Sequence, residues 1–158
     1  MGLLSRKKAP KPEEIYEAVK FNRKADVESL LAAKCDPNAF KDQFTGDVCL
    51  HLAANKGRTE IIAMLLSGGA TANLQNKLGQ TALHCAAGYG ALEIVKVLVD
   101  GGADKSITDL DGNTACELAK NYGARSPPVL PRCLLPRHPP LPRALGLSGQ
   151  AEVVNMLS

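Results

Sequence analysis

The chain has no tryptophan, and its three tyrosines and three phenylalanines make up only 4% of 158 residues. A core built on large rings is excluded, so small and aliphatic side chains must supply the packing. No apolar run approaches the roughly 20 residues of a membrane-spanning helix. The five cysteines, Cys35, Cys49, Cys85, Cys116 and Cys133, are odd in number and widely spaced, with no CxxC pair and no Cys/His cluster. That spacing indicates neither a disulfide framework nor a zinc site, and it fits a reducing, cytoplasmic or nuclear setting. A net charge of +3 is too small to argue for a nucleic-acid partner. The carboxylates are scattered, with Asp109 and Asp111 falling in a turn. They suggest neither an acid-base dyad nor a metal site, and no cofactor is expected.

What the chain does have is a period. Aligning Gly46, Gly79 and Gly112 brings His51 onto His84, Ala53 and Ala54 onto Ala86 and Ala87, and Leu65 and Ala70 onto Leu98 and Ala103, all 33 residues apart. The clearest copy spans 79–111. Thr81 is placed to cap a helix whose apolar face is Leu83, Ala86 and Ala87. Gly90 is placed to end that helix in the left-handed conformation, which costs other residues a steric penalty. Ile94, Val95, Leu98 and Val99 then form one stripe on a second helix, closed by Gly101 and Gly102. The polar residues that follow, up to Gly112, read as a hairpin-like loop. A helix pair this small cannot bury its apolar face alone, so neighbouring copies must stack.

The run Thr81-Ala82-Leu83-His84-Cys85-Ala86 resembles the Thr-Pro-Leu-His-x-Ala start of an ankyrin repeat, a family whose unit has this length. The preceding copy reads Val48-Cys49-Leu50-His51-Leu52-Ala53, lacking both the Thr cap and the Pro, and its register rests on Leu50, His51 and Gly57. The resemblance implies an all-α solenoid of stacked helix-turn-helix units with hairpin-like loops. Its array covers 13–123, with a capping repeat at 13–45, repeats at 46–78 and 79–111, and the first half of a last repeat at 112–123. It also implies that His51 and His84 bond the backbone of neighbouring loops, and that Thr81, Gly57 and Gly90 are structural. Asn38 and Asn73 lie in Leu-rich contexts similar to those in which ankyrin asparagines are hydroxylated.

Function follows from the same resemblance, which implies a protein-protein interaction module, an adaptor or scaffold whose partner lies in a concave groove. The family's variable positions flank the first Gly of each unit and precede the helix-ending Gly. Carried over by register, they are Phe44, Thr45, Asp47, Asn55 and Lys56; then Lys77, Leu78, Gln80 and Tyr89; then Leu110, Asp111, Asn113, Lys120 and Asn121. A monomer is expected. A non-catalytic regulatory subunit of an enzyme complex is the alternative reading, with an enzyme a third. His84-Cys85 invites comparison with the His-Cys-x5-Arg phosphatase signature, but Ala91 stands where the Arg is needed.

Two stretches stand outside the period. Residues 1–12 read as a basic, flexible tail, in which Met1-Gly2 with Arg6, Lys7, Lys8 and Lys11 suggests a lipid anchor on a basic patch. That motif wants Ser or Thr where Arg6 stands, so a solvated tail is the expected reading. Residues 124–149 hold seven of the ten prolines and four arginines with no acid. They read as a disordered insert in the turn of the last repeat, whose second helix resumes at 150–158. Pro136, Pro139 and Pro142 recur with the three-residue turn of polyproline II, which makes 127–142 a candidate ligand for an SH3-type groove. Its arginines fall out of the usual register, and an alternative exon or translated intron with no selected role is the competing explanation.

Overall fold

A computed structural model describes residues 10–124 and 147–158. The lipid motif at Met1-Gly2 and the proline-rich 127–142 lie outside the described residues. Within them are eight helices and no strand, with one isolated antiparallel bridge between Thr108 and Thr114. The helices come in pairs: α1 (Pro12–Lys20) with α2 (Lys24–Ala32), α3 (Cys49–Asn55) with α4 (Thr59–Ser67), α5 (Ala82–Gly88) with α6 (Leu92–Asp100), and α7 (Ala115–Ala124) with α8 (Leu147–Leu157). The odd-numbered helices pack side by side as an inner layer, and the even-numbered ones form an outer layer against them. This is the expected all-α stack of helix pairs.

Stacking is obligatory because none of these helices is long enough to stand alone. They run from seven to eleven residues, below the roughly 12–15 at which an isolated helix becomes even marginal in water. In α5 every residue from Ala82 to Ala87 is buried, since the helix lies between α3 and α7. Its alanines permit that close approach. In α6 only Ile94, Val95 and Leu98 are buried, facing inward, while Glu93 and Lys96 are exposed on the opposite side. Each such aliphatic side chain contributes about 1.5–3 kcal/mol on burial. On the first pair, Glu14, Glu17, Lys20, Lys24 and Glu28 are all exposed, as suits a capping unit.

The loops are built on one device repeated three times. The Oδ1 atoms of Asp42, Asn76 and Asp109 each accept backbone N–H groups two to four residues on: from Phe44 and Thr45, from Leu78 and Gln80, and from Asp111 and Asn113. Each tip is therefore folded by its own side chain. Adjacent tips are then tied together, with Lys77 N–H donating to Thr45 O at 2.9 Å and Leu110 N–H to Leu78 O at 3.1 Å. Gly79 makes this possible. Its φ is +72°, and a Cβ there would lie 2.8 Å from the Leu110 nitrogen; at Gly112 the same space is open.

A second tie runs through the inner helices. His51 Nε2 lies 2.8 Å from Gln80 O, and His84 Nε2 lies 3.2 Å from Asn113 O, so each ring reaches the loop of the next unit. A carbonyl can only accept, so Nε2 carries the hydrogen and Nδ1 is left as an acceptor. At His84 that acceptor is satisfied twice, by Thr81 N–H at 3.2 Å and Thr81 O–H at 2.8 Å. At His51 it is not. Val48 occupies the cap position, and His51 Nδ1 is buried without a partner. In the first unit the ring position is held by Tyr16, which packs on Phe40 with centroids 4.7 Å apart. In the last it is Glu117, whose carboxylate turns back to accept Thr114 N–H and O–H.

On the outer side, asparagine amides bridge successive turns. Asn38 accepts Thr71 N–H and donates to Gly69 O, while Asn73 accepts Asp104 N–H and donates to Gly102 O. The last pair is closed by α8, which begins at Leu147 and packs on α7 and α6 with Val153 and Leu157 buried. Joining α7 to α8 through the 22 residues 125–146 in place of a turn of about three costs roughly 2 kcal/mol of closure entropy. Burial of two aliphatic side chains offsets that.

Two consequences can be measured. Val48→Thr keeps the side-chain shape while offering a hydroxyl to His51 Nδ1 and a cap to α3, so urea denaturation should show about 1 kcal/mol more stability. No gain contradicts the orphaned nitrogen. The second concerns pH. Burial, the largest cause in both cases, holds the His51 and His84 rings below the ordinary 6.5. The unfolded chain then binds more protons than the folded one as pH falls. This stability is complete above about pH 6.5 and declines below it. A folding free energy that is flat down to about pH 5, or a decline unaltered in H51Q/H84Q, contradicts the assignment.

Candidate functional site

The loop devices leave a row of side chains facing solvent. Phe44, Leu78 and Leu110, on successive tips, are 88%, 56% and 75% exposed. Exposed residues of this size normally find company, and here the chain's own turns hold them out. Thr45, Lys77 and Asp111 beside them are also exposed, and Lys77 Nζ reaches back to Gln43 O. Gln80 and Asn113 are half-buried, because their carbonyls accept the histidine rings. Asp47 was expected among the contact positions and is instead buried. Its carboxylate accepts Asn76 Nδ2 at 2.8 Å, so it braces one loop against the next.

The far end of each inner helix gives a second row. Tyr89 closes α5 and is 49% exposed, while Lys56 closes α3 and is half-buried beside Asn55. Each precedes a glycine with positive φ, Gly57 at 69° and Gly90 at 67°. Lys120 and Asn121 are exposed as well. Lys120, however, falls 33 residues after the buried Ala87, and Asn121 falls 33 after Gly88, in the register of Asn55 and one place ahead of that of Lys56 and Tyr89.

One member of this row has no counterpart among the residues expected from sequence. Phe21 closes α1 just as Lys56 and Tyr89 close α3 and α5, and it is 61% exposed. The next residue, Asn22, takes φ 58° where the later units have glycine. The signal was obscured twice, by asparagine standing in for glycine and by the first unit running two residues short. Asparagine tolerates the left-handed region better than other side chains, which is why the turn survives.

Reactive groups are not gathered near these rows. Burial, the leading cause, pushes the Cys49 and Cys85 thiols up to about 12 and raises Cys35 as well, so little thiolate forms at neutral pH. Cys85, next to His84, is wholly inside the inner layer, and that histidine spends both nitrogens on structure. Among the described residues no three His, Cys, Asp or Glu side chains converge as a metal-binding group, and no helix is long and apolar enough to cross a membrane.

Comparison with known proteins agrees with this architecture. A family model of ankyrin repeats in three copies matches residues 15–109. Over 52 residues, 33% of the chain, the sequence is 42% identical to the ankyrin repeat and KH domain-containing protein mask-1 of Caenorhabditis elegans. That match spans only 2% of the relative's length. Ankyrin repeats are in general protein-protein interaction modules and typically non-catalytic. The family match covers more than half of the chain, along the same units that the glycines, histidines and loops define: this chain belongs to the ankyrin-repeat family.

Proposed function

We propose that the chain is an adaptor or scaffold module whose protein partner lies across the loop tips and the ends of the inner helices. The observation that carries this reading is the exposed row Phe44, Leu78 and Leu110, held in line by backbone hydrogen bonds between tips. Each tip is ordered before any partner arrives, so the ordering cost falls on folding and not on binding. Large apolar side chains on a pre-ordered edge are the residues that dominate binding energy when buried by a partner. The buried or half-buried free thiols of Cys35, Cys49, Cys85 and Cys116 support a reducing setting, cytoplasmic or nuclear. A regulatory subunit would use the same surface.

The test compares the tagged full chain with L78A/Y89A by affinity purification from its native cells. Both side chains are at least half exposed or nearly so, so the melting temperature should move by no more than about 2 °C. Partner recovery should fall by at least about tenfold. Unchanged recovery, or loss of the fold in the variant, refutes the assignment.

A further inference from the structure

Beyond the tips, a second exposed feature lies where the first two helix pairs turn. The Phe21 ring has Lys20 Nζ 5.6 Å and the Arg23 guanidinium 5.9 Å from its centroid. Because α1 packs on α3, the next turn, with Lys56 and Arg58, lies alongside, and Asn22, Lys24, Gly57, Arg58 and Glu60 are among the residues lining a common depression of about 180 Å³. The Lys56 ammonium is held below its usual pKa, first by partial burial and then by the like charges of Arg58 and Lys20. Among the described residues the ion pairs are Arg23–Asp26, Lys24–Glu60 and Lys96–Glu93. The carboxylate that also lines this depression, Glu60, is taken by Lys24, so Lys20, Lys56 and Arg58 share a corner with no ion pair of their own, and Arg58 Nε is buried with no acceptor.

Helix-end electrostatics account for only part of this cluster. Lys20 in the last turn of α1 and Lys56 at the end of α3 complement the negative ends of those helices. Arg58 does the opposite, since it caps the positive N-terminus of α4. The exposed Phe21 ring is not explained by helix ends either. On the loop side, Asp42, Asp47 and Asp109 are occupied as internal acceptors. Lys41, Lys77 and Asp111 remain exposed there. Over residues 13–78 eight basic and nine acidic side chains nearly cancel, so the basic character is local to the Lys20, Lys56 and Arg58 corner, and the third tip adds Asp111.

We infer that the partner segment is an acidic stretch of protein carrying large apolar side chains. Its carboxylates sit on Lys20, Lys56 and Arg58, and its apolar groups lie against Phe21 and the tip row. The inference rests on the reading of that surface as a protein-binding one. The seven residues of α3 span about 10 Å, so three or four extended residues, at roughly 3.3 Å each, reach from Lys56 to the tips. The acidic part lies over the first two units and the apolar part extends toward Leu110.

A random-peptide display selection against the immobilised full chain tests this. Enriched peptides should carry net negative charge together with aromatic or long aliphatic residues. Their affinity, read by fluorescence anisotropy, should fall about tenfold in K20Q/K56Q, with weaker salt dependence and an unchanged melting profile. They should weaken in L78A/Y89A too. Neutral or basic binders, or binding lost in L78A/Y89A yet intact in K20Q/K56Q, overturn the inference and leave the protein-binding reading standing. If neither variant alters peptide binding, both fall. Capture of a labelled single-stranded RNA that K20Q/K56Q abolishes, with no acidic peptide selected, also overturns it by assigning the corner to phosphates.

Discussion

An imidazole reaching from one helix pair to a backbone carbonyl of the next loop is the contact on which the rest of this array depends. A helix pair of this size has no core of its own, so unit-to-unit contact is the fold. Apolar stacking between inner helices supplies most of the energy but is non-directional. The ring nitrogens of His51 and His84 add direction, because each accepts only one register of the following loop. The tip-to-tip bonds from Lys77 and Leu110 fix the same register from outside, and the Asn38 and Asn73 amides repeat it along the outer turns.

The unit spanning 79–111 is the one in which every part of this device is complete. Thr81 serves Nδ1 of His84, Asn113 receives Nε2, and Gly79 lets the following tip approach. Its neighbours each lack something. The preceding unit has Val48 for the threonine and leaves a buried nitrogen unpaired, a deficit of the size that an unsatisfied buried acceptor carries. The first replaces the imidazole by Tyr16, whose ring contact with Phe40 packs without a directional bond. The last uses Glu117 to close its own helix start. The proposed partner surface consequently has its firmest support at Leu78, on the tip that precedes the complete unit, and at Tyr89 within it.

Much of this was legible in the sequence because it is periodic. Gly46, Gly79 and Gly112 mark loops whose spacing cannot be shifted without moving Leu65 and Leu98 off the buried face, so the helix pairs and their order follow from pattern alone. The residues that escaped are those whose role is set by a neighbour in space. Nothing local in Asp47 says that Asn76 will bond to it, and nothing local in Asn38 or Asn73 marks them as bridges to the following turn. Phe21 was hidden because Asn22 fulfils a glycine's conformational role without looking like one. The start of α8 at Leu147, three residues ahead of the matching pattern, reflects helix continuation into residues with no aligned counterpart.

The central claim is that the tips form the binding edge while the outer helices serve as scaffold. Methyl NMR of the full chain on titration with a partner recovered from its native cells tests this most directly. Leu78 and Leu110 methyl signals should shift or broaden on binding, while those of Ala63 and Met64 on α4 stay in place. Perturbation centred on α4 and the outer layer, with Leu78 and Leu110 unmoved, would contradict the claim.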